Sequence, residues 1–168
     1  ELGANAPCGH PTAPIESCAM AAFLNSLRGF YRQQLERYRH RPFLRALMAA
    51  CALVASAGGR VSFRQRIRLD MVMETLDTLK VFDPHEGVEL FNEFVEELRT
   101  DSERGHRLAR QAVSAEVAGN PEKARLLLRI CLAISERDGS IPPPERHEIE
   151  AICRWIGIDL GEGCVLDA

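Results

Sequence analysis

The chain has 168 residues, a formal charge of −3 and only 6% aromatic residues. That length buries a core within a single domain, and a composition rich in Ala and aliphatic side chains favours helices over a β-sandwich. No apolar run approaches the roughly 20 residues that span a bilayer, which excludes an integral membrane protein. Residues 1–14 also lack the basic start and apolar core of a signal peptide, so the expected location is the cytoplasm.

In chain order, residues 1–14 read as an irregular leader and 15–168 as one helical domain. A first helix is predicted from Ile15 to Arg39, where Met20, Phe23, Leu24, Leu27, Phe30, Tyr31, Leu35 and Tyr38 recur at helical spacing. Pro42 restarts the chain, and Phe43–Ala57 is an apolar helix closed by Gly58-Gly59. Ser62 caps the next helix, with Gln65 at the capping-box position; Ile67, Leu69, Val72, Met73, Leu76 and Leu79 form its buried stripe. Asp83-Pro84 opens a fourth helix, with Val88, Phe91, Phe94, Val95 and Leu98 inward and Glu89, Glu93, Glu96 and Glu97 in water. A more polar helix spans Ser102 to Val117 and stops at Gly119. Asn120-Pro121 opens a sixth, so apolar from Leu126 to Ile134 that it reads as a central core helix rather than a cofactor box. After Asp138-Gly139, three prolines delay the last helix to Pro143 or Pro144, and it ends near Gly157. No strand pattern survives, and the expected fold is all-α, a compact bundle of about seven helices.

The net charge hides a segregation. Arg28 to Arg68 contains ten Arg and one acid, Glu36, whereas Asp70 to Glu103 contains eleven acids against Lys80 and Arg99. Two such poles either offer charged faces to partners or neutralise each other inside the fold. The Arg-rich stretch with Phe30, Tyr31 and Tyr38 is better read as a solvated helix face than as a surface for nucleic acid or anionic lipid, because those aromatics belong to the apolar stripe. Six cysteines (Cys8, Cys18, Cys51, Cys131, Cys153 and Cys164) show no C-x-x-C spacing. Cys51, Cys131 and Cys153 lie in apolar stretches as core residues, and neither a disulfide framework nor a zinc site is expected. His10, His40, His85, His106 and His147 have no metal spacing, and neither a phosphate loop nor a nucleophile elbow is present, so no catalytic residue is assigned and the chain is not expected to be an enzyme.

Shifting the sequence by 80 residues lays the segment 43–76 over 123–156 without a gap. Arg45 meets Arg125, Leu47 meets Leu127, Cys51 meets Cys131, Gly59 meets Gly139 and Arg66 meets Arg146, and apolar positions agree at Met48/Leu128, Val54/Ile134, Val61/Ile141, Leu69/Ile149, Val72/Ile152 and Leu76/Ile156. This is the pattern of a duplicated helix–turn–helix pair. Opposite Glu136, Asp138 and Glu145, however, stand Ser56, Gly58 and Gln65. Core packing does not require those acids, and their presence in one copy only invites a chemical reason.

Glu136-Arg137-Asp138-Gly139-Ser140-Ile141 followed by Glu145 places oxygen donors around a tight turn, the arrangement a hard divalent cation such as calcium wants. The spacing D-G-x-I-x-x-x-E matches the second half of an EF-hand loop, but Ile134 at the first loop position and Pro142 to Pro144 before the final acid exclude a true EF-hand. The same residues also have a purely structural reading. Gly139 supplies a left-handed turn, Asp138 an Asx-type hydrogen bond, Ile141 a plug into the core, and Glu145 and Glu148 favourable charge at a helix N-terminus.

The segment LLLRICLAISERDGSIPPPERHEIEAICRWIGI resembles the signature of TerB-like tellurite-resistance domains, and LMAACALVASAGGRVSFRQRIRLDMVMETL resembles the first such unit. The resemblance spans residues 43–158, with its sharp motif confined to about eight of them. It implies a helical bacterial stress-response protein tied to tellurite resistance, binding or sensing a metal ion, working with protein partners that include membrane-associated ones. It also implies acidic positions at Asp138 and Glu145, with Asp70 and Glu74 as further candidates. Gly58 and Gln65 depart from the family pattern in the first copy, which puts a symmetrical two-half site in doubt. The alternative function is a metal-independent interaction module that uses the acidic and Arg-rich faces.

Overall fold

In a computed structural model, residues 41–158 are described apart from 77, 78, 80 and 81. They form six α-helices: α1 (Arg41–Ser56), α2 (Phe63–Thr75), α3 (Pro84–Thr100), α4 (Ser102–Val117), α5 (Pro121–Ser135) and α6 (Pro143–Ile156). The predicted leader, the helix at 15–39, Cys8, Cys18, Cys164, His10 and His40 lie outside the described residues. Among the described residues there is no strand beyond an isolated bridge between Arg137 and Ser140, and no helix is long and apolar enough to cross a membrane. The all-α fold read from the sequence holds.

Local chemistry sets most of the boundaries. Ser62 and Gln65 form the reciprocal capping box, the Gln65 amide donating to Ser62 Oγ at 3.2 Å and the Ser62 amide to Gln65 Oε1 at 2.8 Å. Asp83, Asp101 and Asn120 cap α3, α4 and α5 through their side chains. Gly157, with φ of 73°, closes α6 in the left-handed conformation. One boundary differs from expectation. α2 ends at Thr75, because Leu76 turns into an extended conformation, so Leu76 and Leu79 reach the core from beyond the helix. Ile67, expected in the buried stripe, is 43% exposed.

The 126–134 stretch is a core segment, as its apolar sequence suggested, buried throughout except at Arg129, and α1 is a second core helix that is packed more extensively. Every residue from Ala46 to Ala55 is buried, and α1 packs against α3, α4, α5 and α6. From Ala46 to Ala55 α1 is apolar all round and has to be enclosed on all sides; Arg45 and its repeat equivalent Arg125 are both exposed, and α5 also carries the half-buried Arg129. The two charge poles meet in part: Arg41 pairs with Glu86 at 2.7 Å, Arg66 bonds Asn92 at 2.7 Å, and Arg45 stacks over Phe94 at 5.0 Å from the ring centre. Glu89, Glu93 and Glu96 stay exposed on α3.

The duplication is visible in three dimensions. α1 and α5 begin 80 residues apart, as do α2 and α6, and buried positions coincide at 44/124, 47/127, 51/131, 54/134, 65/145, 69/149 and 72/152. The copies are interlaced, since α1 packs on α6 and α5 packs on α2, placing the first helix of each against the second helix of the other. Cys51 and Cys131, equivalent in the repeat, meet through a thiol–thiol hydrogen bond.

That hydrogen bond with Cys51, and then complete burial, push the Cys131 thiol well above the ordinary range. An acid whose pKa is raised by folding gives stability that is whole below the unfolded value and is lost as pH rises. Stability should therefore decline above pH about 8.5, by at most about 1.4 kcal/mol per pH unit for this one group. Urea melts between pH 7 and 10 check this, with a shallower decline expected for Cys131→Ala.

Candidate cation site at the paired turns

The turn between α5 and α6 is built on Arg137 and Ser140, whose backbones exchange hydrogen bonds of 2.6 and 2.9 Å. Between them Asp138 and Gly139 both have positive φ, 52° and 77°. This is the primed two-residue turn that Asp-Gly favours, because Asp tolerates the left-handed region and Gly occupies it at no cost. The Asx-type hydrogen bond expected of Asp138 is not what holds the turn. Glu136 Oε1 accepts from the Gly139 amide at 3.2 Å and Ser140 Oγ donates to the Arg137 carbonyl at 3.0 Å. The Asp138 side chain is 80% exposed, with Arg64 Nη1 4.0 Å away.

Glu145 behaves differently from an ordinary first-turn acid. It is 1% exposed; Oε1 accepts from Arg137 Nη2 at 2.8 Å, while Oε2 is buried with no hydrogen-bond partner in the protein. Its repeat equivalent, Gln65, spends its carbonyl oxygen on the Ser62 backbone amide. Glu145 cannot do the same, because Pro142 stands at the N-cap of α6 and has no N–H. The carboxylate is thereby released from capping and turned inward. It lies against the other copy's turn, where a Cβ on Gly58 would be 3.9 Å from Glu145 Oε1.

Among the described residues, the buried side-chain polar atoms without a partner are Ser56 Oγ, Gln65 Nε2, Ser135 Oγ and Glu145 Oε2. All belong to helix ends that flank the two turns: the last residues of α1 and α5, and the third residues of α2 and α6. Unsatisfied buried groups are uncommon, and here they gather at equivalent helix ends of the two repeats. A groove of about 470 Å³ opens beside one of them, Ser56, and is lined also by Ala57, Pro144, Ser102, His106, His147 and Glu148. His106 Nδ1 lies 4.0 Å from Glu148 Oε1 there.

Of the sequence candidates, Glu136, Asp138 and Glu145 fall on this turn and its following helix. Asp70 and Glu74 do not join them: both are exposed on the outer side of α2, on the face that carries Phe63 and Ile67. Among the described residues, no three His, Cys, Asp or Glu side chains converge as a metal-ligand set. Sequence reasoning missed Arg137 and Gly58. The available signal was Pro142 standing opposite Ser62 in the 80-residue alignment, which deprives Glu145 of its capping role.

Fold and site together define an interlaced, duplicated helix–turn–helix bundle with a buried carboxylate at its turn end. The chain matches the profile of the family described as tellurite resistance protein TerB over residues 44–163, and it belongs to that family. It is also 32% identical over 107 residues to a tellurium resistance protein TerB of Alcaligenes sp., an alignment covering 64% of this chain and 87% of that protein. No solved structure matches it significantly.

Proposed function

We propose that this chain serves tellurite resistance inside the cell as a non-enzymatic, cation-responsive helical module, with Glu145 as the carboxylate that receives the ion. The observation that carries this reading is the buried, unpartnered Oε2 of Glu145. A carboxylate oxygen removed from water needs a proton donor or a cation, and a hard divalent ion such as calcium is the ligand its chemistry selects. No set of three acids converges on Glu145 among the described residues, so turn carbonyls and water would supply the remaining oxygens. With few carboxylates in reach the site is weak, with a Kd of about 10⁻⁴ to 10⁻³ M. In calcium titrations of the full chain, amide resonances from Asp138 to Glu145 should shift, and Glu145→Gln should abolish the shift. An unchanged wild-type spectrum at about ten millimolar calcium, well above that range, would reject the reading.

A second reading, a metal-independent interaction module, is favoured by one surface. Phe63 and Ile67 are 78% and 43% exposed, one turn apart on α2, beside exposed Arg60 and Arg64. It predicts partner binding that survives a chelator and is lost when Phe63 and Ile67 are replaced by Ser.

A further inference from the structure

We propose that the outer face of α2 is a self-association surface, on which a second copy of this chain lays its own α2 antiparallel, with the two-fold axis at Ile67. This rests on the interaction-module reading and names its partner. α2 buries Gln65, Arg68, Leu69, Val72 and Met73 on one side, where it packs on α3 and α5. Its exposed residues are Phe63, Arg64, Ile67, Asp70 and Glu74, which at spacings of three and four share one stripe. Phe63 and Ile67 are the exposed large apolar side chains among the described residues. Their adjacency on one face points to an interaction surface.

The order of charges along the stripe identifies the occupant. Arg60, exposed just ahead of the helix, and Arg64 stand at its start, and Asp70 and Glu74 at its end. These positions are symmetric about Ile67: Arg64 and Asp70 lie three residues to either side, Phe63 and Met71 four, Arg60 and Glu74 seven. An antiparallel copy centred there sets each Arg against an acid of the second copy and each Phe63 against a half-buried Met71. Every pairing is thus reciprocal, as an isologous interface requires. A parallel copy would set Arg on Arg and acid on acid, which repels. Arg64 Nη1 also stands 4.0 Å from Asp138, but that pair is long and exposed, so giving it up costs little. With 13 residues, α2 is about 20 Å long. One helix face of that length falls short of the standard interface of about 1,600 Å², so the dimer is weak, with a Kd of about 10⁻⁴ M.

Sedimentation equilibrium of the full chain from about 10 µM to about 1 mM, a range that brackets this Kd, tests the pairing. Wild type should pass from monomer to dimer. Arg64→Asp and Asp70→Arg each create two like-charge contacts and should weaken association at least about tenfold. The double variant Arg64→Asp/Asp70→Arg should regain it. A double variant no stronger than the single ones would overturn the pairing, as would Phe63→Ser dimerising like wild type. A wild type that stays monomeric would overturn self-association while the module reading survives, provided another protein binds through Phe63 and Ile67; if none does, both fall. Wild type also gives a test without substitution. In a mixture of isotope-labelled and unlabelled chains, an intermolecular contact between the Phe63 ring and the Met71 methyl is expected. Contacts from Phe63 to residues 1–40 of the same chain in its place would show the face covered from within and sink the proposal.

Discussion

Leu127→Ala is expected to lower folding stability by about 3 kcal/mol, and Leu47→Ala by the same amount within about 1 kcal/mol. Both side chains have 0% exposure, they occupy equivalent places in the two copies, and their helices α1 and α5 pack on each other. Each deletion removes the transfer free energy of the lost carbons and leaves a cavity that rigid neighbouring helices close only in part. Chemical denaturation of the two variants measures the losses directly. A gap of more than about 2 kcal/mol between them, beyond the usual site-to-site spread, would show that the copies have diverged in packing as well as in their acids.

Gly105→Ala is expected to destabilise the fold by about 2 kcal/mol, against the ordinary trend. Alanine in place of a helical glycine usually gains about 1 kcal/mol. Here α3 and α4 are joined through the single residue Asp101, the C-cap of one and the N-cap of the other, so the helices approach closely at Gly105. A Cβ at that position would lie 2.7 Å from both Cα and N of Leu98 and 3.0 Å from the Glu97 carbonyl carbon. Backbone cannot rotate aside, and overpacking of this kind costs about 1–3 kcal/mol or more. Gly87→Ala is the control. Its new Cβ would meet Met73 Cε at 2.6 Å, the tip of a flexible side chain, and the variant should stay within about 0.5 kcal/mol of wild type. Thermal melts separate the two, with a fall of roughly 8 °C expected for Gly105→Ala.

What could be read in advance was what depends on near neighbours in the chain. Ser62 with Gln65, Asp83 with Pro84 and Asn120 with Pro121 mark helix starts because a cap acts over three or four residues. Gly157 marks a stop for the same reason. The end of α2 was misread because Leu76 and Leu79 continue an apolar pattern after the backbone has left the helix. Burial there is decided by where the loop returns to the core, which periodicity does not encode. Ile67 was misplaced by the same reasoning, being apolar but on the outer face of α2.

The candidate site divides along the same line. The turn itself was legible, since Asp-Gly specifies its backbone and Ile141 its packing against the core. The inward turn of Glu145 was only latent in Pro142, and its partners were not legible at all. Gly58 reaches Glu145 from 87 positions earlier in the chain, across the interlaced copies.

The sequence by itself therefore determined an all-α fold, its six described helices within a few residues, the duplication, the family and the turn. Only the tertiary structure decided that α1 is the more extensively packed of the two core helices, that each copy's first helix packs on the other's second, and that Glu145 is buried against Arg137 while Asp70 and Glu74 face outward. Helix caps and turns are fixed by contacts a few residues apart. The environment of Glu145 is fixed by which surfaces of two similar halves come together, a choice that no local pattern in either half contains.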